Sequence, residues 1–219
     1  MARRKNPEAG DLARAAILEA AERHCAERGL RPSSVRAIAT AANVNSAMLG
    51  YYFGPKETLL REVVSAAAGK ICTWRLAALE KLRERHGDLI PTAETIRIYA
   101  EPFLLENHPL AETVKIYLRV VGEAMAEPDD GLSEYMHGEF LESHLRFSAE
   151  IGRSTPGTQP EKIASRFHMM VGAMVALCAG REWAGSAPLF SQPVTAGGPD
   201  EALAQFSQEW AQIFALPSS

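Results

Sequence analysis

The chain has 219 residues and is 47% apolar, so it can bury a substantial hydrophobic core in one large or two modest domains. Its longest apolar run, residues 169–180, is too short to span a bilayer, and residues 3–5 are not followed by the apolar run of a signal peptide. The three cysteines are too scattered for a metal knuckle or a disulfide framework, and a reducing cytoplasm is the expected compartment.

Charge is distributed unevenly along the chain, although the net charge is only −4. Residues 1–70 carry 11 Lys and Arg against 7 Asp and Glu, whereas residues 71–219 carry 12 against 20. The overall acidity argues against binding of nucleic acid, but the local excess of cations argues for it. The distribution predicts a basic head on an acidic body.

Apolar residues recur with the 3.6-residue period of α-helices, and the strict alternation that is typical of strands is absent. Gly29 is suited to the position after a helix end, Ser34 and Thr92 to N-caps, and Pro102 to a kink. The sequence therefore predicts an all-α fold. Nine helices are expected, with apolar stripes in residues 17–25, 35–42, 46–53, 55–85, 96–103, 110–125, 132–151, 163–177 and 203–213.

The stretch NVNSAMLGYYFGPKETLL, residues 43–60, indicates what the head does. The helices before and after Asn43 are too short to persist alone, and with the first helix they form a helix-turn-helix unit. Asn43 tolerates the left-handed backbone that such a turn needs, and Asn45 can cap the third helix. Ser46 and Ala47 then lie at the amino end of that helix, where a recognition helix meets base edges.

The end of the same stretch is suited to binding phosphate groups. Leu49 and Phe53 are four residues apart and should be buried, which leaves Tyr51 and Tyr52 nearer the open side. Lys56 begins the next helix, where a cation opposes the helix dipole unless an anion binds there. The sequence therefore predicts that the helix amides, Lys56 and the two tyrosine hydroxyls bind phosphate groups of the DNA backbone.

Residues 17–64, ILEAAERHCAERGLRPSSVRAIATAANVNSAMLGYYFGPKETLLREVV, resemble the DNA-binding head of the TetR/AcrR family of transcriptional regulators. The resemblance implies a helix-turn-helix head in residues 1–54 and a larger ligand-binding and dimerisation body in residues 55–219. It implies a homodimer on double-stranded operator DNA, released by a small-molecule inducer. The DNA contacts implied for this chain fall on Arg36, Ser46, Ala47, Tyr51, Tyr52 and Lys56.

The head departs from the family pattern at a few positions. Gly50 replaces a common tyrosine, which removes a side chain that often touches DNA and loosens the helix. Asn43 replaces the usual glycine of the turn. The tail of Arg3, Arg4 and Lys5 can add DNA contacts or remain a disordered tail. Taken alone, the two tyrosines could be core aromatics, and Arg36 could be a solvated helix residue, but their context favours contact with DNA.

The body carries aromatic, Met and His side chains on several helices. Most such residues are ordinary core, but in a ligand-responsive regulator some line a pocket between helices. We expect a mostly apolar inducer, with Tyr99 and His144 as its polar anchors. The expected pocket residues are Tyr99, Phe103, Tyr117, Phe140, His144, Phe147 and Met170.

Two helices near residues 132–152 and 160–182 are expected to form a four-helix dimer interface, by analogy with the family. Small residues along one side of the second helix fit a close approach of two helices, and tight packing within one subunit is the alternative explanation. These small residues are Gly172, Ala173, Ala176, Ala179 and Gly180.

Enzymatic and metal chemistry find little support in the sequence. Glu134 and His137 form an E-x-x-H pair, but the second pair of a di-iron site is missing. His24 and Cys25 are adjacent and do not face each other on a helix. We therefore expect no enzyme, no metal and no cofactor. The alternatives left open are a helical enzyme or transport module with a degenerate head, and a regulator controlled by a protein partner.

Overall fold

The computed structural model describes residues 7–29, 34–126, 132–183 and 198–217, and these contain nine α-helices and no strand. The predicted all-α fold and its nine helices are confirmed for this part of the chain. The helices are α1 (Pro7–Arg28), α2 (Val35–Ala41), α3 (Ser46–Phe53), α4 (Lys56–His86), α5 (Thr92–Leu104), α6 (Ala111–Ala126), α7 (Leu132–Ser154), α8 (Pro160–Trp183) and α9 (Pro199–Phe214).

Local capping groups set the ends of the short helices, as the sequence predicts. The Ser34 side chain accepts a hydrogen bond from the Ala37 amide at 3.1 Å, which caps α2. The Asn45 side chain accepts one from the Met48 amide at 3.0 Å, which caps α3. Gly29 has φ +89 and donates its N–H to a carbonyl of the last turn of α1. Each cap satisfies a backbone group that the helix itself leaves unpaired.

The prediction that Thr92 caps the fifth helix is wrong. Pro91 occupies the cap position of α5 without a side-chain bond, and Thr92 is already the first helical residue. The Thr92 hydroxyl lies 2.7 Å from the Ser154 hydroxyl at the end of α7, so it serves a tertiary contact instead. Pro102 lies inside α5, as expected from the sequence.

The chain forms two compact units. The first comprises Met1–Gly69 with Lys115–Met136, and the second comprises Lys70–Val114 with His137–Ser219. The predicted functional boundary between residues 54 and 55 remains a prediction. In the ranges that the structure describes, no helix is both long enough and apolar enough to cross a membrane.

The first unit has a core built around the helix-turn-helix. Its buried side chains come from α1, α2, α3 and the start of α4, and Ile116 of α6 joins them. The core is apolar throughout, so it holds the two short helices that could not persist alone. Its buried members are Ile17, Ala20, Ala21, Cys25, Ile38, Ala39, Leu49, Phe53, Leu59, Val63, Val64, Ala67 and Ile116.

The second unit is organised around α5, which packs against α8 and α9. The buried carboxylate of Glu150 on α7 accepts hydrogen bonds from Arg83 of α4 at 2.8 Å and from Arg153 at 2.6 Å. The buried Arg166 of α8 donates to the carbonyls of Phe214 at 3.1 Å and Leu216 at 3.0 Å, which fixes the end of α9. Charged groups therefore join helices that are distant in sequence.

Candidate functional site

The turn between α2 and α3 has the geometry that a helix-turn-helix requires. Asn43 has φ +55 and is the only non-glycine residue with positive φ in the described part of the chain. The Val44 amide donates to the Ala39 carbonyl at 2.9 Å, which closes the turn, and the half-buried Val44 side chain packs against the core of the first unit. The turn therefore fixes the direction in which α3 leaves α2.

α3 has one buried side and one open side. Leu49 and Phe53 are buried in the core, as predicted. Ser46, Ala47 and Gly50 are exposed, and a Cβ added at Gly50 would meet no described atom within 4 Å. The open side of this helix thus presents a hydroxyl, a methyl group and bare backbone, and any DNA bases that it contacts would be met by short groups.

The two tyrosines have different environments. The Tyr51 side chain is 66% exposed, whereas Tyr52 is half-buried and packs against the core. Their rings meet edge to face, with centroids 5.1 Å apart. The Tyr52 hydroxyl approaches α1, because a Cβ added at Gly10 would lie 3.6 Å from it. Tyr51 is therefore the better placed of the two to reach a ligand in solution.

The two basic candidates lie on either side of α3 in the sequence. Arg36 is exposed in the first turn of α2, and the half-buried Lys56 begins α4 after Gly54, which has φ +70. The structure thus places all six predicted DNA-contacting residues in the first unit, four exposed and two half-buried. The predicted contribution of Arg3, Arg4 and Lys5 falls outside the described residues.

An ion pair between α1 and α4 in the head was not predicted from the sequence. Arg14 of α1 forms an ion pair with Glu62 of α4, and its guanidinium lies 4.8 Å from the centroid of the Phe53 ring. This side chain links α1 and α4 beside the end of the predicted recognition helix. The partners are 48 residues apart, so no local pattern could have indicated the pair.

An aromatic cluster fills the interior of the second unit, with Tyr99 at its centre. The Tyr99 ring centroid lies 5.1 Å from that of Phe147, 5.0 Å from that of Phe167 and 6.0 Å from that of His144. His144 also stacks on Phe140 at 5.9 Å. The structure therefore brings together four of the residues predicted to bind the inducer.

The remaining pocket candidates divide between the two units. Phe103 and Met170 are buried in the second unit, and the Phe103 carbonyl accepts a hydrogen bond from the Cys178 thiol at 3.2 Å. Tyr117 is half-buried in the first unit, where it packs against the core of the head. Among the seven candidates, only His144 and Tyr117 are not fully buried.

Arg75 of α4 is a second residue that the sequence analysis missed. Its side chain is 1% exposed, its Nε donates to the Tyr99 carbonyl at 2.8 Å, and its guanidinium carbon lies 3.5 Å from the centroid of the Tyr99 ring. A signal was present in the sequence. Arg75 falls four residues after Ile71 and four before Leu79, so a charge occupies the buried stripe of an amphipathic helix.

A surface cleft of about 290 Å³ lies between α4 and α5, and none of the seven pocket candidates lines it. Trp74 at its edge contacts the His108 ring, with centroids 4.6 Å apart. The cleft combines charged side chains of both signs with a few apolar ones. Its lining residues are Trp74, Ala77, Ala78, Lys81, Leu82, Arg85, Glu94, Arg97, Ile98 and Glu101.

No cluster of three or more His, Cys, Asp or Glu side chains that could hold a metal ion occurs among the described residues. The side chains of Glu134 and His137 fall outside the described residues. Cys25, Cys72 and Cys178 are free thiols.

Comparison with known proteins identifies the family. The profile described as "Bacterial regulatory proteins, tetR family" matches residues 17–63, and the profile described as "Tetracyclin repressor-like, C-terminal domain" matches residues 97–208. The second match alone covers half of the chain. Together the two profiles include the helix-turn-helix and most of the aromatic cluster.

Individual relatives agree with the profiles. The HTH-type transcriptional regulator BetI of Burkholderia lata is 23% identical over 164 residues, which cover 75% of this chain and 80% of that protein. A transcriptional regulator from Rhodococcus sp. Rha1 has a similar fold, with a TM-score of 0.65, 20% identity and coverage of 92% of this chain and 95% of that one. The multidrug binding protein EbrR, solved with imidazole, gives a TM-score of 0.60 at 17% identity over 94% of this chain and 97% of that one.

The matching families consist of transcriptional regulators and not of enzymes, which confirms the prediction that the chain has no catalytic function. The enzyme alternative is thereby set aside. The resemblance of residues 17–64 is confirmed and extended into the body. The chain belongs to the TetR family of bacterial transcriptional regulators.

Proposed function

We propose that this regulator is a cytoplasmic repressor that binds a near-palindromic operator as a homodimer and is released by a mostly apolar small molecule. The observation that carries the proposal is the open side of α3. Ser46, Ala47 and Gly50 face solvent there, while Leu49 and Phe53 hold the helix on the core. A helix presented in this way can enter a major groove.

Contacts to phosphate groups would hold the helix in that groove. Arg36, Tyr51 and Lys56 offer two cations and an exposed hydroxyl before and after α3. Contacts to phosphates position a protein on DNA, whereas contacts to base edges specify the sequence. In this division of roles, Ser46 and Ala47 set the preferred sequence, and the other three residues supply affinity for any duplex.

The exposed face of α7 and α8 supports the proposed dimer. Leu141 and Leu145 lie one turn apart on α7 and are exposed, and Met169 of α8 is exposed as well. A Cβ added at Gly138 or Gly172 would meet no described atom within 4 Å, so neighbouring backbone can approach closely. Exposed apolar side chains of this size suit burial against a second copy. Ala179 and Gly180 fall outside the residues whose side chains are described.

The proposed inducer site is the aromatic cluster of the second unit. EbrR, whose fold is similar, is a multidrug binding protein, and aromatic surfaces suit mostly apolar ligands of varied shape. α4 runs from Lys56 to His86 and contributes residues to both units. A ligand that prefers one position of this helix would shift the binding equilibrium by its differential affinity for the two states.

The runner-up is a regulator controlled by a protein partner. One observation favours it, because Tyr99, Phe103, Phe140, Phe147 and Met170 are all buried against neighbouring side chains. A body that stays filled would not respond to small molecules. Release of the operator by a purified metabolite would exclude this alternative.

Selection of DNA fragments by the purified protein tests the DNA-binding proposal. The wild-type protein should enrich a near-palindromic site, and its affinity should fall steeply with added salt because counterions are released. Lys56→Ala should weaken binding to every sequence and lower the salt dependence by about one counterion. Substitution of Ser46 should instead change which base is preferred at one position of the site. A good base contact contributes about 1–3 kcal/mol to the difference in binding free energy between the preferred base and the others.

Lys81→Ala is the matched control, because Lys81 is an exposed lysine on the same helix in the second unit. It should leave affinity and preference unchanged. Failure to enrich any salt-sensitive site would overturn the proposal. A shift of sequence preference in Lys56→Ala, with none in the Ser46 variant, would reverse the two assigned roles.

A further inference from the structure

The buried charges of the second unit are compensated wherever they hold helices together. Glu150 binds two arginines, Arg83 and Arg153, and Arg166 donates to three backbone carbonyls. This is the expected arrangement, since an ion withdrawn from water must recover the lost hydration through partners.

Arg75 is compensated less completely than these side chains. It is 1% exposed, yet no carboxylate among the described residues lies within ion-pairing distance of its guanidinium. The Nε donates to the Tyr99 carbonyl, and the planar group lies over the rings of Tyr99 at 3.5 Å and Phe103 at 5.0 Å. Its Nη2 is buried and has no hydrogen-bond partner. A full positive charge and an unused donor thus remain inside the aromatic cluster.

A second unused donor lies nearby. The Ser143 hydroxyl on α7 is buried and also has no hydrogen-bond partner among the described residues. Cys72 lies one turn before Arg75 on α4, and its thiol donates at 3.7 Å to the carbonyl of Glu139, one turn before Ser143 on α7. The two unused donors therefore follow, each by about one turn, the same contact between α4 and α7.

We infer that Arg75 and Ser143 bind the carboxylate of an organic acid, whose apolar part packs against the rings of Tyr99 and Phe103. An arginine and a hydroxyl are both donors, and one carboxylate accepts from both at once. A single negative charge balances the single positive charge of the guanidinium. The inference rests on the proposed function and narrows its inducer from a mostly apolar molecule to an amphipathic anion.

The burial of Arg75 also indicates what binding does to the protein. The guanidinium is covered by the Tyr99 ring, so a carboxylate reaches it only when the aromatic cluster repacks. Arg75 belongs to α4, and Tyr99 belongs to α5, so the repacking changes the contact between these two helices. The ligand therefore favours one arrangement of α4, the helix that begins at Lys56.

Binding of carboxylic acids to the full-length protein tests the inference. The probes are straight-chain carboxylates from acetate to decanoate and benzoate, each compared with the matching uncharged alcohol. Dissociation constants come from calorimetry, and melting temperatures from thermal shift. At least one carboxylate should bind at least tenfold more tightly than its alcohol. Arg75→Met should abolish that preference, and Ser143→Ala should reduce the carboxylate affinity several-fold.

Two further variants keep the result interpretable. Arg75→Lys retains the charge and should retain part of the preference, even if Arg75→Met folds poorly. Arg97→Met removes an exposed arginine from the cleft between α4 and α5 and should leave the preference intact. Loss of preference in the Arg97 variant alone would place the anion in that cleft and overturn the inference.

The inference also fails if no carboxylate of the panel binds, or if carboxylates and alcohols bind equally. The same compounds are titrated against the complex with the selected DNA, so that the two ideas are separated. If uncharged compounds release the DNA and carboxylates are not preferred, the inference is wrong but the proposed function remains supported. Absence of any specific DNA site would sink the proposed function.

Discussion

At the scale of single residues, His108 is held as a neutral imidazole. Its Nδ1 accepts a hydrogen bond from the Leu110 amide at 3.0 Å, and its ring meets Trp74 edge to face. Burial lowers the pKa of His108 from its ordinary value of 6.5, and Glu101 opposes this shift more weakly. Protonation would replace the acceptor at Nδ1 with a donor that faces the Leu110 amide.

Stability should therefore fall as the pH drops through and below 6.5, the ordinary pKa of the group. The folded state has the lower pKa, so the unfolded chain binds this proton more readily, and the contribution of His108 is complete only above 6.5. His108→Asn keeps an acceptor near Nδ1 and removes the titration. The difference in melting temperature between about pH 7.5 and 5.5 should shrink in this variant.

His168→Asn is the control, because His168 is exposed on α8. A change of the same size in this variant would assign the effect to the loss of any histidine and not to the burial of His108. If the pH dependence of the melting temperature is unchanged in the His108 variant, burial of the His108 ring in the wild type does not disfavour its protonated form.

At the scale of elements, α3 contains a glycine that its fold does not require. Gly50 lies inside the helix, has ordinary helical geometry and has no described atom within 4 Å of an added Cβ. Gly54 also has open space around an added Cβ, but its backbone has φ +70 and ψ −131, a region that glycine alone adopts readily. The two positions differ in backbone conformation and not in packing.

Gly50→Ala should stabilise the protein by about 0.5–1 kcal/mol, because alanine restricts the unfolded chain and favours the helix. Gly54→Ala, its matched control, should destabilise the protein by about 1–3 kcal/mol through backbone strain. Urea unfolding of both variants measures the difference. Equal shifts in the same direction would contradict the assignment of these effects to backbone conformation.

Elements whose ends depend on local chemistry were predictable from the sequence. The side chains of Ser34 and Asn45 each accept a hydrogen bond from the amide three residues further on, and Asn43 is a residue type that tolerates positive φ. Thr92 was not predictable in the same way. Its hydroxyl forms a hydrogen bond with the hydroxyl of Ser154, 62 residues further along the chain, and this tertiary contact takes the place of the predicted helix cap.

At the scale of the whole molecule, the body was less predictable than the head. The aromatic residues of the cluster were identified from helical periodicity, which marks buried faces without showing which faces meet. Periodicity therefore grouped Tyr117 with Tyr99, although Tyr117 packs in the other compact unit. Arg75 could have been noticed as a charge within a buried stripe, but its partners Tyr99 and Phe103 on α5 could not have been predicted, because no local window contains them.

The proposed dimer gives the prediction that belongs to this scale. Leu145→Lys should raise the dimer dissociation constant at least tenfold, because two charges per dimer would be buried in an apolar interface. Leu145 is 61% exposed in the single chain. Leu89→Lys is the matched control, since Leu89 is 63% exposed in the link between α4 and α5.

Sedimentation of the wild type and both variants at several concentrations measures the dissociation constants. The wild type and Leu89→Lys should be dimers, and Leu145→Lys should dissociate. A monomeric wild type, or an unaffected Leu145 variant, would place any interface elsewhere.

The open side of α3 has a consequence for how this regulator can evolve. Ser46, Ala47 and Gly50 face solvent, so longer side chains at these positions require no repacking of the core. Under the proposed base contacts of α3, the target sequence can therefore change by single substitutions while the fold stays intact. A duplicated copy of the gene could acquire a separate set of target genes without first regaining stability, and the same three positions are the natural place to randomise when redirecting the protein to a chosen promoter.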